Sequence, residues 1–163
     1  RDGKGSTWEG GMRVPGIAWW PGRIKPGVTS QVASTLDLFP TLSRLAGAEF
    51  PADRPMDGAD LSSLLLESKP LEREVFCYYR GTRLFAARLG PWKAHFQTQG
   101  SYGDPKVLTH EPPLLFNLDV DPSESQDVAA QYPEQLARIA TAVERHRAKL
   151  TVAPSQLIET TAK

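Results

Sequence analysis

Between Glu74 and Leu118 the chain carries β patterning that leaves few architectures open. Val75 to Tyr79, Leu84 to Arg88, Trp92 to Gln97 and Leu114 to Leu118 are predicted strands, rich in aromatic and branched residues. In the third, Trp92, Ala94 and Phe96 point to one face while Lys93, His95 and Gln97 point to the other. That alternation predicts an antiparallel sheet with one buried face. Leu89-Gly90-Pro91 joins the second strand to the third, and Asp119-Val120-Asp121-Pro122-Ser123 reads as a turn. A closing helix is predicted from Pro133 to Leu150, with Leu136, Ile139, Ala140, Val143 and Leu150 on one stripe. Pro133 suits its first position, where no N–H is needed. The tail after Val152 is polar and reads as frayed.

The first half is of mixed character. Gly16-Ile17-Ala18-Trp19-Trp20 reads as a buried strand ending in Pro21-Gly22 turn chemistry. A helix is predicted over Asp37 to Ala46, where Leu38, Leu42, Leu45 and Ala46 share a face. Pro40 falls in its first turn and Gly47 is placed to stop it. A short helix is predicted over Leu61 to Leu66, with Asp57 or Asp60 near its free backbone N–H groups.

Composition excludes several classes. Lys plus Arg and Asp plus Glu number 19 each, so no global field draws the chain to nucleic acid or to an anionic membrane. Cys77 is the only cysteine, which rules out an intrachain disulfide and a Cys-rich metal site. No apolar run approaches the roughly 20 residues that span a bilayer. The three histidines lack metal-ligand spacing. Asp119, Asp121 and Glu124 lack the glycine and final glutamate of a calcium loop, so a capped turn is expected. Neither a Walker loop nor a Gly-x-Ser-x-Gly elbow is present.

Chemistry is concentrated near the start. Gly3-Lys4-Gly5-Ser6-Thr7-Trp8-Glu9-Gly10-Gly11-Met12-Arg13 sets a lysine in a glycine-rich loop, where backbone and ammonium can approach a compact anion. On composition alone Lys4 reads first as a solvated loop lysine, and Glu9 and Arg13 as a pair holding the turn. His95 projects from the polar side of its strand, and His110 lies at a loop tip in Leu108-Thr109-His110-Glu111-Pro112-Pro113. His146, between Arg145 and Arg147, is expected to face solvent. The first residue is not methionine and nothing before Lys4 completes a site around it, which reads as the C-terminal portion of a larger enzyme.

The segment from Lys4 to Pro15 is followed by Trp19-Trp20-Pro21-Gly22, Leu36-Asp37-Leu38-Phe39-Pro40-Thr41 and Asp57-Gly58-Ala59-Asp60-Leu61. This ordered series resembles the type I sulfatases. Tyr78-Tyr79-Arg80-Gly81, Trp92-Lys93-Ala94-His95-Phe96, Thr98-Gln99-Gly100-Ser101 and His110-Glu111-Pro112-Pro113-Leu114-Leu115 narrow the likeness to the arylsulfatase A and N-acetylgalactosamine-6-sulfatase branch.

The resemblance implies an α/β fold. The chain would be the end of an alkaline-phosphatase-like sulfatase domain plus a C-terminal α+β subdomain, with a four-stranded antiparallel sheet and a closing helix. Residues 1–70 would end the large domain, 71–152 would form the subdomain, and 153–163 a polar tail. It also implies hydrolysis of sulfate esters by formylglycine and a divalent cation, usually calcium. Both would be carried by residues outside this chain, since Cys77-Tyr78-Tyr79-Arg80 lacks the Cys/Ser-x-Pro-x-Arg pattern and no metal ligand is assigned here. Lys4 matches the sulfate-contacting lysine, while His95, Gln99 and His110 would shape the pocket rim. Alone, the segment is expected to be inactive and to expose a truncated sheet edge. The partner is a sulfated small molecule or sulfated carbohydrate, and the implied location is periplasm, medium or lysosome. A phosphatase or phosphodiesterase of the same superfamily, and a non-catalytic binding protein with this fold, are the alternatives.

Overall fold

The computed structural model describes residues 1–49, 53, 56–101 and 104–151. Helix α1 spans Glu9–Met12, a 3₁₀ turn spans Thr35–Asp37, α2 spans Leu38–Leu45 and α3 spans Ser62–Glu67. Strands β1 (Phe76–Arg80), β2 (Arg83–Leu89), β3 (Trp92–Gln99) and β4 (Val107–Asn117) precede the closing helix α4 (Pro133–Lys149).

The strands form one antiparallel meander in the order β1-β2-β3-β4. Gly81 and Gly90 open the two tight connections, both at φ +58°, where a side chain would be strained. β4 is longer than expected and takes in His110, which is a strand residue and not a loop tip. The cause is an irregularity in pairing. His95 faces Leu114 but Gln97 faces Thr109, so residues 110–113 stand opposite Phe96 alone. Pro112 and Pro113 cannot donate to a ladder and are accommodated there.

Register assigns the faces. Cys77, Ala87, Ala94 and Leu115 lie in one row across the sheet, on the side covered by α4 through Ile139 and Val143. The α4 stripe runs through Leu136, Ile139, Ala142 and Val143, whereas Ala140 and Leu150 are exposed. Pro133 holds the first helical position as expected. On the opposite face, Arg88, Lys93 and Phe116 form one row, and Tyr78, Ala86, His95 and Leu114 another.

That opposite face is buried too, which corrects the expectation of a one-sided sheet. Lys93 and His95 are both 0 % exposed. Residues 6–9 cover them, with Trp8 packed on Phe116 and Leu118. Period-2 alternation marks two chemically distinct faces, and a polar face can be covered when its covering segment supplies opposite charge.

Two of the motifs are tied to each other by Asp37, which is fully buried. Its carboxylate accepts from Ser34 N–H at 2.7 Å, Ala59 N–H at 2.8 Å and the Arg73 guanidinium at 2.6 Å. Thr41 Oγ1 donates to the Asp37 carbonyl at 2.6 Å and accepts from Leu61 N–H at 2.9 Å. A Cβ on Gly58 would collide with the Leu36 carbonyl, so only glycine lets these stretches meet. Asp60 Oδ1 accepts from Ser62 N–H at the start of α3, as expected of one of the two aspartates.

Helix α2 ends at Gly47, at φ +72°, with Gly47 N–H on the Arg44 carbonyl and Ala48 N–H on the Ser43 carbonyl. Its leucine stripe departs from expectation. Leu38 and Leu42 are exposed, and the helix buries Pro40 and Thr41. Likewise Gly16 to Trp20 forms no strand: Ile17 is 94 % and Trp19 83 % exposed. A strand needs a hydrogen-bonded neighbour, and none of the described strands flanks it. The Pro21-Gly22 turn forms as predicted, closed by Arg23 and Ile24 N–H on the Trp20 carbonyl.

Candidate functional site: the Lys4 loop and the charges beneath it

The N-terminal segment closes on itself. Ser6 N–H donates to the Gly3 carbonyl at 3.2 Å, and Gly10 N–H to the Arg1 carbonyl at 3.1 Å. Ser6 Oγ also donates to the Gly3 carbonyl, at 2.9 Å. Lys4 stands on the outer rim of this loop, exposed and without an ion-pair partner among the described residues. Gly10 and Gly11 make the closure possible. A Cβ on Gly10 would strike the Asp2 carbonyl, and one on Gly11 would lie 2.5 Å from the Ser6 carbonyl. These contacts are with backbone, so nothing yields easily. Gly11→Ala should therefore lower stability by about 1–3 kcal/mol, the usual cost of overpacking, readable as a drop in the denaturant midpoint. An unchanged midpoint would show that the loop opens without cost.

Directly below, four ionisable side chains meet in the interior. Lys93 Nζ donates to Glu9 Oε1 at 2.8 Å and lies 3.1 Å from Glu124 Oε1. His95 Nε2 bonds the same Glu124 oxygen at 2.7 Å. The other Glu124 oxygen accepts from Glu9 N–H at 2.6 Å. Arg88 approaches Glu9 Oε2 at 3.8 Å from the edge, and the Tyr78 ring faces the Lys93 ammonium at 4.6 Å. The Trp8 and His95 rings lie 4.1 Å apart. Two carboxylates against two cations leave the cluster formally neutral when His95 is uncharged.

Burial pushes the His95 pKa down from its ordinary 6.5, and the hydrogen bond to Glu124 offsets this only in part. Burial would raise Glu124, but the His95 hydrogen bond, the Lys93 charge and the Glu9 N–H outweigh it and hold its pKa below the ordinary 4.5. His95 is thus neutral near pH 7, with Nε2–H donating to the Glu124 carboxylate.

A pH prediction follows from these signs. The unfolded chain takes up a proton near pH 6.5 that folded His95 resists, so stability falls as pH drops from there towards the depressed value. The Glu124 contribution is present above 4.5 and is lost below it, on the way to its own depressed value. Glu124, Lys93, Trp8 and Phe116 touch or face the ring, and the charges of Lys93, Glu124 and His110 act on it. His95→Gln keeps a donor for Glu124 but cannot protonate. Its melting temperature should lose the slope between about pH 7 and about pH 5 and keep the one below about pH 4.5. An unaltered upper slope would exclude His95 as its source.

Beside the loop is an open cleft of about 360 Å³. Arg1, Asp2 and Trp8 line it from the N-terminal segment, Thr98 and Gln99 from β3, and Lys106 from just before β4. Of the residues singled out in the sequence, Gln99 lines the cleft. Its amide donates to the Asp104 carbonyl at 2.6 Å. His110 stands one residue behind, its Nε2 2.8 Å from Thr98 Oγ1. His95 lies in the interior beneath Trp8, and Lys4 is not among the lining residues. Glu9 bonds Lys93 and not Arg13, whose side chain is exposed. Asp121 makes the expected capped turn, accepting from Ser125 and Gln126 N–H. His146 bonds the Tyr79 hydroxyl at 3.0 Å, so it is not simply solvated. Glu9, Lys93 and Glu124 were not identified from sequence as a unit. The available signal was the pair of polar residues, Lys93 and His95, on one face of a strong strand.

A family model for the C-terminal region of aryl-sulfatase matches residues 71–163, more than half of the chain, and a sulfatase model matches residues 1–48. The chain belongs to the aryl-sulfatase family. It is similar to bovine (Bos taurus) arylsulfatase A, at 41 % identity over 98 % of this chain and 36 % of the relative. It is also similar to human (Homo sapiens) N-acetylgalactosamine-6-sulfatase, at 41 % identity over 95 % of this chain and 34 % of the relative. Among solved structures, a sulfatase from Pseudoalteromonas sp. superposes with a TM-score of 0.83 at 30 % identity, covering 91 % of this chain and 32 % of that one. The chain spans about a third of the length of the curated relatives it matches. The sheet and its closing helix fall within residues 71–163, the stretch matched by the model for the C-terminal region of aryl-sulfatase. No helix among the described residues is long and apolar enough to cross a membrane.

Proposed function

We propose that this chain supplies the C-terminal part of a sulfuric ester hydrolase and presents Lys4 to the sulfate of the substrate. The observation that carries the reading is an exposed lysine, without an ion-pair partner among the described residues, on a glycine loop whose base is locked by buried charges, in a chain of this family. A fixed ammonium beside a sulfate ester offsets negative charge on the sulfate oxygens and on the departing oxygen. Its compact charge needs no planar partner, which suits a tetrahedral anion.

Gln99 at the cleft, with His110 behind Thr98, is placed to shape the wall met by the rest of the substrate. His95 serves from beneath the loop. The similarity to a sulfatase named for N-acetylgalactosamine 6-sulfate supports a sulfated carbohydrate as substrate. The division at about residue 70 belongs to the same reading, although residues 6–9 pack on the sheet beyond it. The tail, 153–163, lies outside the described residues. We place the protein in periplasm, medium or lysosome.

The cation and formylglycine expected of a sulfatase do not fit this chain's residues. Among the described residues no group of three or more His, Cys, Asp or Glu could hold a metal. Cys77 is half-buried in β1, where burial pushes its thiol up to about 11. No step is assigned through either group.

The test is hydrolysis by the full-length protein of an aryl sulfate, a 6-sulfated N-acetylgalactosamine and the matching phosphate esters. Turnover of the sulfates well above the phosphates is expected. Preference for phosphate would assign the chain to a phosphatase, and no turnover of any ester would leave a binding protein.

A further inference from the structure

The Lys4 loop is held in an unusual way. Most covering segments are held by apolar contact, and Trp8 provides that here. Yet the segment also carries a carboxylate, Glu9, into the interior, five positions after Lys4. Both ends of Glu9 are fixed. Its backbone N–H bonds Glu124, and its side chain bonds Lys93. Glu124 reaches this point from a turn after β4, with its own backbone at φ +53° and no exposed surface. It uses both oxygens, one on Glu9 N–H and one shared by Lys93 and His95.

Burying such charges gains little net stability. A well-packed apolar cluster of the same volume is often as stable. Charged hydrogen bonds do add direction, because they tolerate little displacement before they weaken. Every bond in this cluster joins segments far apart in sequence, namely residue 9, residues 93–95 and residue 124. Its position is therefore fixed relative to the sheet and not to local backbone.

We infer that Glu124 and Lys93 are positioning residues, which with Glu9 and His95 form a buried clamp that sets where the Lys4 ammonium stands. The inference rests on the reading of Lys4 as the sulfate-contacting lysine. The clamp touches no substrate. It acts through the six-residue span from Lys4 to Glu9, of which residues 6–9 are buried.

The experiment is a double-mutant cycle in the full-length protein, reading kcat and KM for an aryl sulfate. Glu124→Gln keeps the shape and one acceptor but removes the charge. With Lys4 present it should lower kcat/KM by about 10–100-fold, the scale of a misplacement near 1 Å, carried mainly by kcat. In a Lys4→Ala background the same change should cost less than about threefold, because the group being positioned is gone. Equal losses in both backgrounds, or none, would overturn the clamp.

Hydrogen exchange supplies a second readout. In Glu124→Gln, amides of residues 3–11 should exchange faster while β2 and β3 stay protected, and unchanged loop exchange would likewise reject the clamp. Should Glu124→Gln fail to fold, the set Glu9→Gln, Lys93→Met and Glu124→Gln removes both carboxylates and the ammonium, leaves only Arg88 charged at the edge, and carries the same cycle. The Lys4→Ala arm separates the two readings. Wild-type kinetics there would remove Lys4 from the chemistry, whereas a large loss with additive clamp effects would reject only the positioning role.

Discussion

Lys4→Ala in the full-length protein should reduce kcat for sulfate ester hydrolysis by about 10²–10³-fold, as for loss of one preorganised charge donor at a developing anion. The loop places no carboxylate against this lysine, so its charge is available to a ligand. Hydrolysis moves negative charge onto the departing oxygen, and an interaction that strengthens along that path appears in kcat more than in KM. Lys4→Arg should recover part of the loss, since charge is kept but the bulkier guanidinium must fit a space flanked by Gly3 and Gly5. Steady-state kinetics on an aryl sulfate decide the matter. Near-normal turnover in Lys4→Ala would return the residue to the role of a solvated loop lysine.

Lys93→Met should be the most damaging single change to stability, costing about 3–5 kcal/mol, as for breaking a buried ion pair. Methionine matches the stem well enough to fill the space. What it cannot do is balance Glu9 and Glu124, which are bridged by this one ammonium at 2.8 and 3.1 Å. The mechanism has its own signature. Above about pH 5 wild type loses stability on acidification, because burial holds His95 below its ordinary value. Without the ammonium one carboxyl should take up a proton readily, so the variant should regain stability as the pH is lowered towards about 5. Urea midpoints at a series of pH values would reveal the opposite slopes. Parallel curves for the two proteins would mean that lost packing, and not charge, explains the damage.

The sheet was legible because each of its strands carries its own signal. Trp92 to Phe96 alternates, Leu89-Gly90-Pro91 marks a connection, and Pro133 starts a helix whose stripe faces the row of Cys77, Ala87 and Ala94. Elements that depend on a distant partner were read less well. Gly16 to Trp20 has the composition of a strand, but a strand exists only where a neighbour completes its hydrogen bonds. Leu38 and Leu42 have helical spacing, which predicts the helix but not what it packs against. His110 was misplaced because two prolines argue for a loop, whereas the offset opposite Phe96 absorbs them within a strand.

The site was legible only in part. Lys4 stands out through its glycines. The clamp does not, since Glu9, Lys93 and Glu124 are each ordinary where they occur. They become a unit only when a loop, a strand and a turn converge. Pattern along the chain reports local periodicity, and a buried charge network is defined by closure in space.

Cys77 lies under α4 in the row that includes Ala87 and Ala94, half-buried, with its thiol pushed up to about 11. At neutral pH it is almost wholly in the unreactive, protonated form. An alkylating reagent would therefore modify it quickly only when the terminal helix lifts away from the sheet. The chain's lone sulfhydryl is thus a built-in gauge of helix detachment, one that records transient opening without any added label.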